Sequence, residues 1–166
     1  MPVLNIRFAT PEDVPLVLRF VRELAEYERS LDKVVATEPM LMEAMFGRIH
    51  GRGPLVEGLI GEIDGSPQGF ALFFHTFSTW VGASGLYLED LYVTPDARGG
   101  GLGKALLRRL AQIAVDRGCG RVEWAVLNWN KPAIDFYNRL GAKPLDEWTY
   151  YRLAGSAIDA VAQGRV

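Results

Sequence analysis

Val14, Val17, Leu18, Val21, Leu24 and Ala25 recur at intervals of three and four. That is the period of a helix with one buried face, and it predicts an amphipathic helix reaching about Glu28. Its start is marked by Thr10-Pro11-Glu12-Asp13. Thr10 suits a cap, Pro11 the first helical position, and the two acids the positive end of the helix. Residues 4–9 before it are a short apolar strand. A second helix is expected over 38–47, with Gly47 near its end. Strands follow at 55–63 and 68–77, separated by Asp64-Gly65-Ser66-Pro67, a hairpin signal. Residues 80–85 read as a loop and 86–93 as a further strand, closed by Thr94-Pro95-Asp96.

The second half opens with Arg98-Gly99-Gly100-Gly101-Leu102-Gly103-Lys104. This stretch leads into a helix that carries Leu102, Leu106, Leu110 and Ile113 on one face and is broken at Gly118 and Gly120. Val122, Trp124 and Val126 alternate with Glu123 and Ala125, so 121–127 is a strand. Asn130-Lys131-Pro132 starts a short helix with Ala133, Ile134, Tyr137 and Leu140 on one side, stopped by Gly141. One more strand, about 147–153, and a short terminal helix complete the pattern. There is no repeat, low-complexity stretch or linker. The expectation is an α/β chain forming one domain over 1–166, a mixed sheet flanked by helices.

Composition narrows the partners. The chain has 166 residues, 49% hydrophobic and 23% charged, which is the balance of a globular protein with one sizeable core. A net charge of −2 gives no global basic field of the kind nucleic-acid binders use. No apolar run approaches the roughly 20 residues of a membrane span, and the N-terminus lacks the pattern of a signal peptide. A cytoplasmic protein is expected. The single cysteine, Cys119, excludes an internal disulfide, and His50 and His75 show no metal-ligand spacing. No metal is expected, and Cys119 reads as a small buried hydrophobe.

The glycine stretch carries the first chemical signal. Glycines let backbone amides approach a ligand, and a helix start presents unpaired N–H groups with partial positive charge. From Arg98 to Arg109 there are four basic residues (Arg98, Lys104, Arg108, Arg109) and no acid, which favours an anion. A P-loop fails here, because Arg98 stands where its first glycine belongs and Ala105 where its hydroxyl belongs. The dinucleotide pattern fails too, since its last glycine falls on Lys104. What remains is Arg98-x-x-Gly101-x-Gly103.

Together with Asn130-x-x-Ala133-x-x-x-Tyr137, this spacing resembles the GCN5-related N-acetyltransferase family, and the resemblance extends from Ile6-Arg7-x-Ala9-Thr10 onward. It implies that family's fold, a central mixed, mostly antiparallel sheet flanked by helices, and acetyl-CoA as cosubstrate. It places the pyrophosphate on Arg98, Gly99, Gly100, Gly101, Leu102, Gly103 and Lys104, and the pantetheine beside Leu91, Tyr92 and Val93. Asn130 is implied at the cofactor and Tyr137 near its sulfur. Alone, Asn130 would read as a helix cap and Tyr137 as core.

Glu23-Leu24-Ala25-x-Tyr27-Glu28, Leu88-Glu89-Asp90-Leu91 and Trp129-Asn130-x-Pro132-Ala133-Ile134-x-Phe136-Tyr137 are similar to the diamine/polyamine N-acetyltransferase branch, which includes enzymes acting on thialysine. That likeness implies Glu89 as base through water, Tyr137 as acid, direct attack by a small primary amine in a ternary complex, and a homodimer. Tyr27, Glu28, Trp80, Glu89 and Asp90 are the expected amine contacts. Glu89 and Asp90 point to opposite faces of a regular strand, and a bulge would bring them together. The polyamine enzymes carry an acid two residues before the loop tryptophan, where this chain has Ser78. Trp124, Trp129 and Trp148 read as core or interface. The alternative function is a non-catalytic acyl-CoA-binding or regulatory module on the same scaffold.

Overall fold

Five strands lie in the sheet in their chain order: β1 (Leu4–Phe8), β2 (Glu57–Ile63), β3 (Ser66–Ser78), β4 (Ala83–Val93) and β5 (Val122–Trp124). The first four are antiparallel to their neighbours, and β5 joins β4 in parallel. The computed structural model describes residues 2–48, 51 and 53–165, so His50 lies outside the described residues. The sheet belongs to a first unit, Met1–Ala125, together with α1 (Val14–Tyr27), α2 (Glu38–Phe46) and α3 (Leu102–Asp116). The second unit, Val126–Val166, contains α4 (Lys131–Arg139) and α5 (Ser156–Ala162).

Alternation along the strands decides which helix covers which face. Ile60, Phe70, Leu72 and Tyr92 form one buried cluster with Val17 and Phe20 of α1 and Met45 of α2. Gly61, one step from Ile60, faces the other side, where an added Cβ would lie 3.0 Å from the Leu102 side chain. Helices α1 and α2 therefore cover one face and α3 the other. Leu102, Leu106, Leu110 and Ile113 of α3 are all buried, as their spacing predicts. Arg7 fixes the approach to α1, since its guanidinium donates to Asp13 at 2.6 and 2.9 Å and to Glu62 at 2.8 Å. The same Asp13 carboxylate accepts the Thr10 backbone N–H at 2.8 Å, closing the capping box.

The β2–β3 connection is a two-residue turn in which Asp64 and Gly65 both have positive φ, 49° and 80°, as a type I′ hairpin requires. Ser66 and Pro67 already belong to β3. The next hairpin is longer than its sequence pattern indicates. Strand β4 begins at Ala83, because Ala83, Ser84 and Gly85 pair with Ser78, Phe77 and Thr76. Small polar residues gave no apolar alternation there, yet Gly85 is required by packing, since a Cβ would lie 2.8 Å from the Thr76 hydroxyl. At the other extreme, β5 is only three residues long.

In the second unit, the Asn130 side chain accepts the Ala133 N–H at 3.4 Å and caps α4, and Gly141 follows it at φ 86°. The strand expected over 147–153 is absent. A strand exists only within a ladder, and among the described residues no partner strand pairs with this segment. Its apolar side chains, Trp148, Tyr150, Tyr151 and Leu153, are exposed.

Candidate active site

The loop between β4 and α3 has the backbone shape that suits an anion. Gly99 and Gly101 have φ of 79° and 89°, the left-handed region that glycine enters without strain. The helical ladder of α3 begins with Ala105 N–H to Gly101 C=O at 2.9 Å. Amides 102 to 104 precede that bond and have no partner within the helical ladder, as at any helix start. Two glycines of the sheet seat this helix start, because added Cβ atoms at Gly61 and Gly69 would meet Leu102 at 3.0 and 3.4 Å. Lys104 and Arg108 lie one turn apart on the exposed side of α3. The donors and charge fit a diphosphate.

Strand β4 leads into this loop with one edge open. Parallel pairing to β5 covers Leu86, Tyr87 and Leu88 only, while antiparallel pairing to β3 continues to Val93. On the β5 side, the stretch containing Leu91, Tyr92 and Val93 has no partner strand among the described residues. Tyr92 itself points into the core, its ring 5.8 Å from that of Phe20. Burial and the Glu23 carboxylate push the Tyr92 phenol up to about 12. Its contribution to an extended ligand along this edge is therefore backbone.

Acids gather where the strand is irregular. Leu72 pairs with Asp90 and Phe73 with Leu88, so Glu89 is the extra residue of a β-bulge. Glu89 is exposed, while Asp90 is half-buried. Desolvation, then the charges of Glu89 and Glu28, push the Asp90 carboxyl up to about 7. Burial also raises Glu28 above the usual carboxylate range. None of the three acids forms an ion pair among the described residues. Glu28 is held there by the way α1 ends. Arg29 takes the left-handed conformation at φ 57°, and Ser30 N–H reaches back to the Ala25 carbonyl at 2.8 Å.

Sequence reasoning placed Arg98 in the glycine loop but missed its contact with α1. The Arg98 guanidinium lies 4.8 Å from the ring centroid of Tyr27 and 5.8 Å from that of Tyr92. Its Nε donates to the Val93 carbonyl at 3.0 Å. Glu23, Glu26, Tyr27, Tyr92, Pro95 and Arg98 line one groove of about 470 Å³. The helical spacing of Glu23, Glu26 and Tyr27 placed them together on α1, but nothing local in the sequence pointed them at Arg98.

The first unit thus brings together Tyr27, Glu28, Glu89, Asp90, the 91–93 edge and the 98–104 loop. Trp80 is not brought to the acids within the chain. It stands at the β3–β4 tip, 88% exposed and beyond Ser78, which is itself six residues along β3 from the Asp90 partner Leu72, about 20 Å at strand rise. Ser78 is buried and its hydroxyl accepts the Val81 N–H at 3.3 Å, closing that turn. Asn130 and Tyr137 stand at the cap and on the body of α4 in the second unit. Trp129 and Trp148 are exposed rather than core, Cys119 is half-buried, and the exposed His75 lies 3.5 Å from Arg117. No described helix is long and apolar enough to cross a membrane.

Residues 20–142, which take in parts of both units, match the model of the acetyltransferase (GNAT) family. Thialysine N-epsilon-acetyltransferase of Sus scrofa is 40% identical, over 95% of this chain and 96% of that protein. L-ornithine N5-acetyltransferase of Arabidopsis thaliana is 31% identical, over 95% and 87% respectively. Among solved structures, an integron cassette protein from the mobile metagenome of V. cholerae superposes with a TM-score of 0.77 at 26% identity, covering 96% of this chain and 98% of that one.

Proposed function

The chain belongs to the acetyltransferase (GNAT) family and is an acetyl-CoA-dependent N-acetyltransferase, and from that premise we propose that its acceptor is the side-chain amine of a small lysine-like amino acid or a short diamine. The observation that carries the proposal is the cluster of Glu28, Glu89 and Asp90, three acids without a cation among the described residues. A site with this charge distribution is matched by an ammonium group. The relatives named for thialysine and ornithine act on amines of that kind by their names.

In this reading the 98–104 loop holds the cofactor's diphosphate, the open edge at Leu91, Tyr92 and Val93 receives the pantetheine, and Asn130 touches the cofactor. The cofactor supplies an acetyl thioester. A lysine-like amine has a pKa near ~10.4 and must lose a proton before it can attack. Asp90 and Glu28 attract the cation, and Glu89, exposed on the bulge, accepts the proton through water. Tyr137 donates a hydrogen bond to the leaving sulfur. Full proton transfer from a phenol near ~10 to a thiolate near ~8.5 runs uphill by about 2 kcal/mol at ordinary values, so Tyr137 acts as a donor rather than a complete acid. Both units act as one domain over 1–166, and the protein works in the cytoplasm as a homodimer.

Charge count sets the substrate preference. Ser78, occupied in closing a turn, replaces an acid of the polyamine enzymes, so a distal ammonium of spermine has one fewer carboxylate to meet. Initial rates at low amine and fixed ionic strength, followed by CoA release, are expected to give a higher kcat/KM for thialysine or a short diamine than for spermine. A clear preference for spermine refutes the charge-count argument and leaves the acetyltransferase assignment standing.

A further inference from the structure

We propose that Arg98 and Glu26 form a head-group site that selects a zwitterionic amino acid over a diamine: the guanidinium receives the α-carboxylate, Glu26 receives the α-ammonium, and the side-chain amine reaches Glu28, Glu89 and Asp90. The inference rests on the reading above, in which those three acids receive the reacting amine. Arg98 contributes its backbone to the glycine loop, but its guanidinium turns toward α1, 4.8 Å from the Tyr27 ring centroid and 5.8 Å from that of Tyr92. Its Nε donates to the Val93 carbonyl at 3.0 Å, which sets that direction. The two terminal nitrogens make no hydrogen bond or ion pair among the described residues. A planar fork of this kind matches a carboxylate in bidentate fashion.

Glu26 lines the same groove, since Glu23, Glu26 and Tyr27 share one side of α1 at helical spacing. Glu23 is already engaged, by Arg19 at 3.4 Å and by the Tyr92 hydroxyl. Glu26 is exposed and forms no ion pair among the described residues, with Arg98 or with any other cation. The groove thus offers one cation and one acid, not paired with each other, in a volume of about 470 Å³. An amino-acid head group carries the complementary pair of charges. Its distance from the acids fits as well. Tyr92 lines the groove, and Asp90 lies two residues before it on the same face of β4, about 7 Å at strand rise. On α1 the groove residue Tyr27 is followed directly by Glu28. A lysine-like side chain spans about 6 Å from Cα to its amine when extended. A diamine of the same length brings a second ammonium to Arg98 in place of a carboxylate, and the like charges oppose each other.

The test compares thialysine with the diamine that differs from it only by loss of the carboxyl group. Rates across a range of amine concentrations at saturating acetyl-CoA, followed by CoA release, give kcat and KM for each. Wild type is expected to favour thialysine in kcat/KM by about 3- to 10-fold, the reach of a partly exposed charge-assisted pair. Arg98→Gln should remove most of that ratio, chiefly by raising the KM for thialysine. Arg98→Lys should keep part of it, since it retains the charge and loses the planar fork. Glu26→Gln should raise the KM for both amines, because each presents an ammonium at that position. A role of Arg98 in cofactor binding or folding alone would lower both rates alike and leave the ratio unchanged. An unchanged ratio in Arg98→Gln, or a wild-type preference for the diamine, overturns the head-group site and leaves the assignment of the three acids standing. Acetylation of neither amine by wild type overturns the acceptor reading and the head-group site together.

Discussion

Replacing Asp90 by Asn should stabilise the protein at alkaline pH while damaging its activity. The Asp90 carboxyl stands at about 7 against an ordinary 3.8, because of burial and the charges of Glu89 and Glu28. Between those values the folded protein keeps a proton that the unfolded chain releases, so stability falls as pH rises through the window. Three pKa units correspond to about 4 kcal/mol once Asp90 is fully ionised, above pH 7. At pH 5 only about 1.6 kcal/mol of that penalty has accrued. The Asn side chain does not titrate, and groups away from Glu28 and Glu89 titrate alike in both proteins. The change in Tm on substitution should therefore be more stabilising at pH 8 than at pH 5 by up to about 3 kcal/mol, or roughly 5–10 °C for a chain of this size. Thermal unfolding followed by circular dichroism, at low salt and without ligands, gives this double difference. Equal changes in Tm at the two pH values would refute the account of Asp90 as an unpaired acid held among acids. For the wild-type enzyme the same titration predicts that the amine KM falls as pH rises through about 7, since a charged Asp90 is the form that attracts the ammonium.

Tyr137→Phe should lower kcat by about 10²- to 10⁴-fold, the usual reach of acid–base groups, and leave the Kd for CoA nearly unchanged. Wild-type turnover under chemistry-limited conditions would return the residue to a packing role. Gly101→Val should abolish the thermal shift produced by CoA, because φ of 89° is closed to a β-branched residue and the added side chain crowds the amides. In the wild-type protein ATP and NAD should give no shift comparable with that of CoA, and an equal shift from either would sink the reading of the loop.

The helices were legible because their signal is redundant. In α1 and α3 the 3.6-residue period runs over 14 and 15 residues; Val14, Val17 and Leu18 of α1 and all four marked positions of α3 are buried, while Phe20, Leu107 and Ala114 are buried without having been marked. The glycine loop was legible by elimination, since only the Arg-x-x-Gly-x-Gly spacing survived. Features that depend on a partner were not. The start of β4 is written in Ala83, Ser84 and Gly85, small residues whose strand state comes from pairing with Thr76, Phe77 and Ser78. Residues 147–153 show the converse, with strand-like composition and no ladder. A bulge at Glu89 was conceivable from the sequence, but register is a relation between two strands, and only the Leu72–Asp90 and Phe73–Leu88 pairs fix it. The Arg98 stack on Tyr27 joins residues 71 positions apart, beyond any local pattern.

Those illegible features share one location, and the reason is physical. A regular strand would send Glu89 and Asp90 to opposite faces, and pairing along both edges would leave no backbone for a ligand. A helix ending in an ordinary glycine cap would place no side chain at the position Arg29 takes, just beyond Glu28. Irregularity supplies what the chemistry needs. The bulge brings two acids near Glu28, the early end of β5 frees the edge after Leu88, and left-handed glycines expose amides at the start of α3. These breaks are sustained by the regular parts around them, through Leu102 seated on Gly61 and Gly69 and Tyr92 packed on Phe20. In the proposed mechanism the segment from Glu89 to Lys104 thus carries the acceptor acid, the open edge and the anion loop in one run of chain.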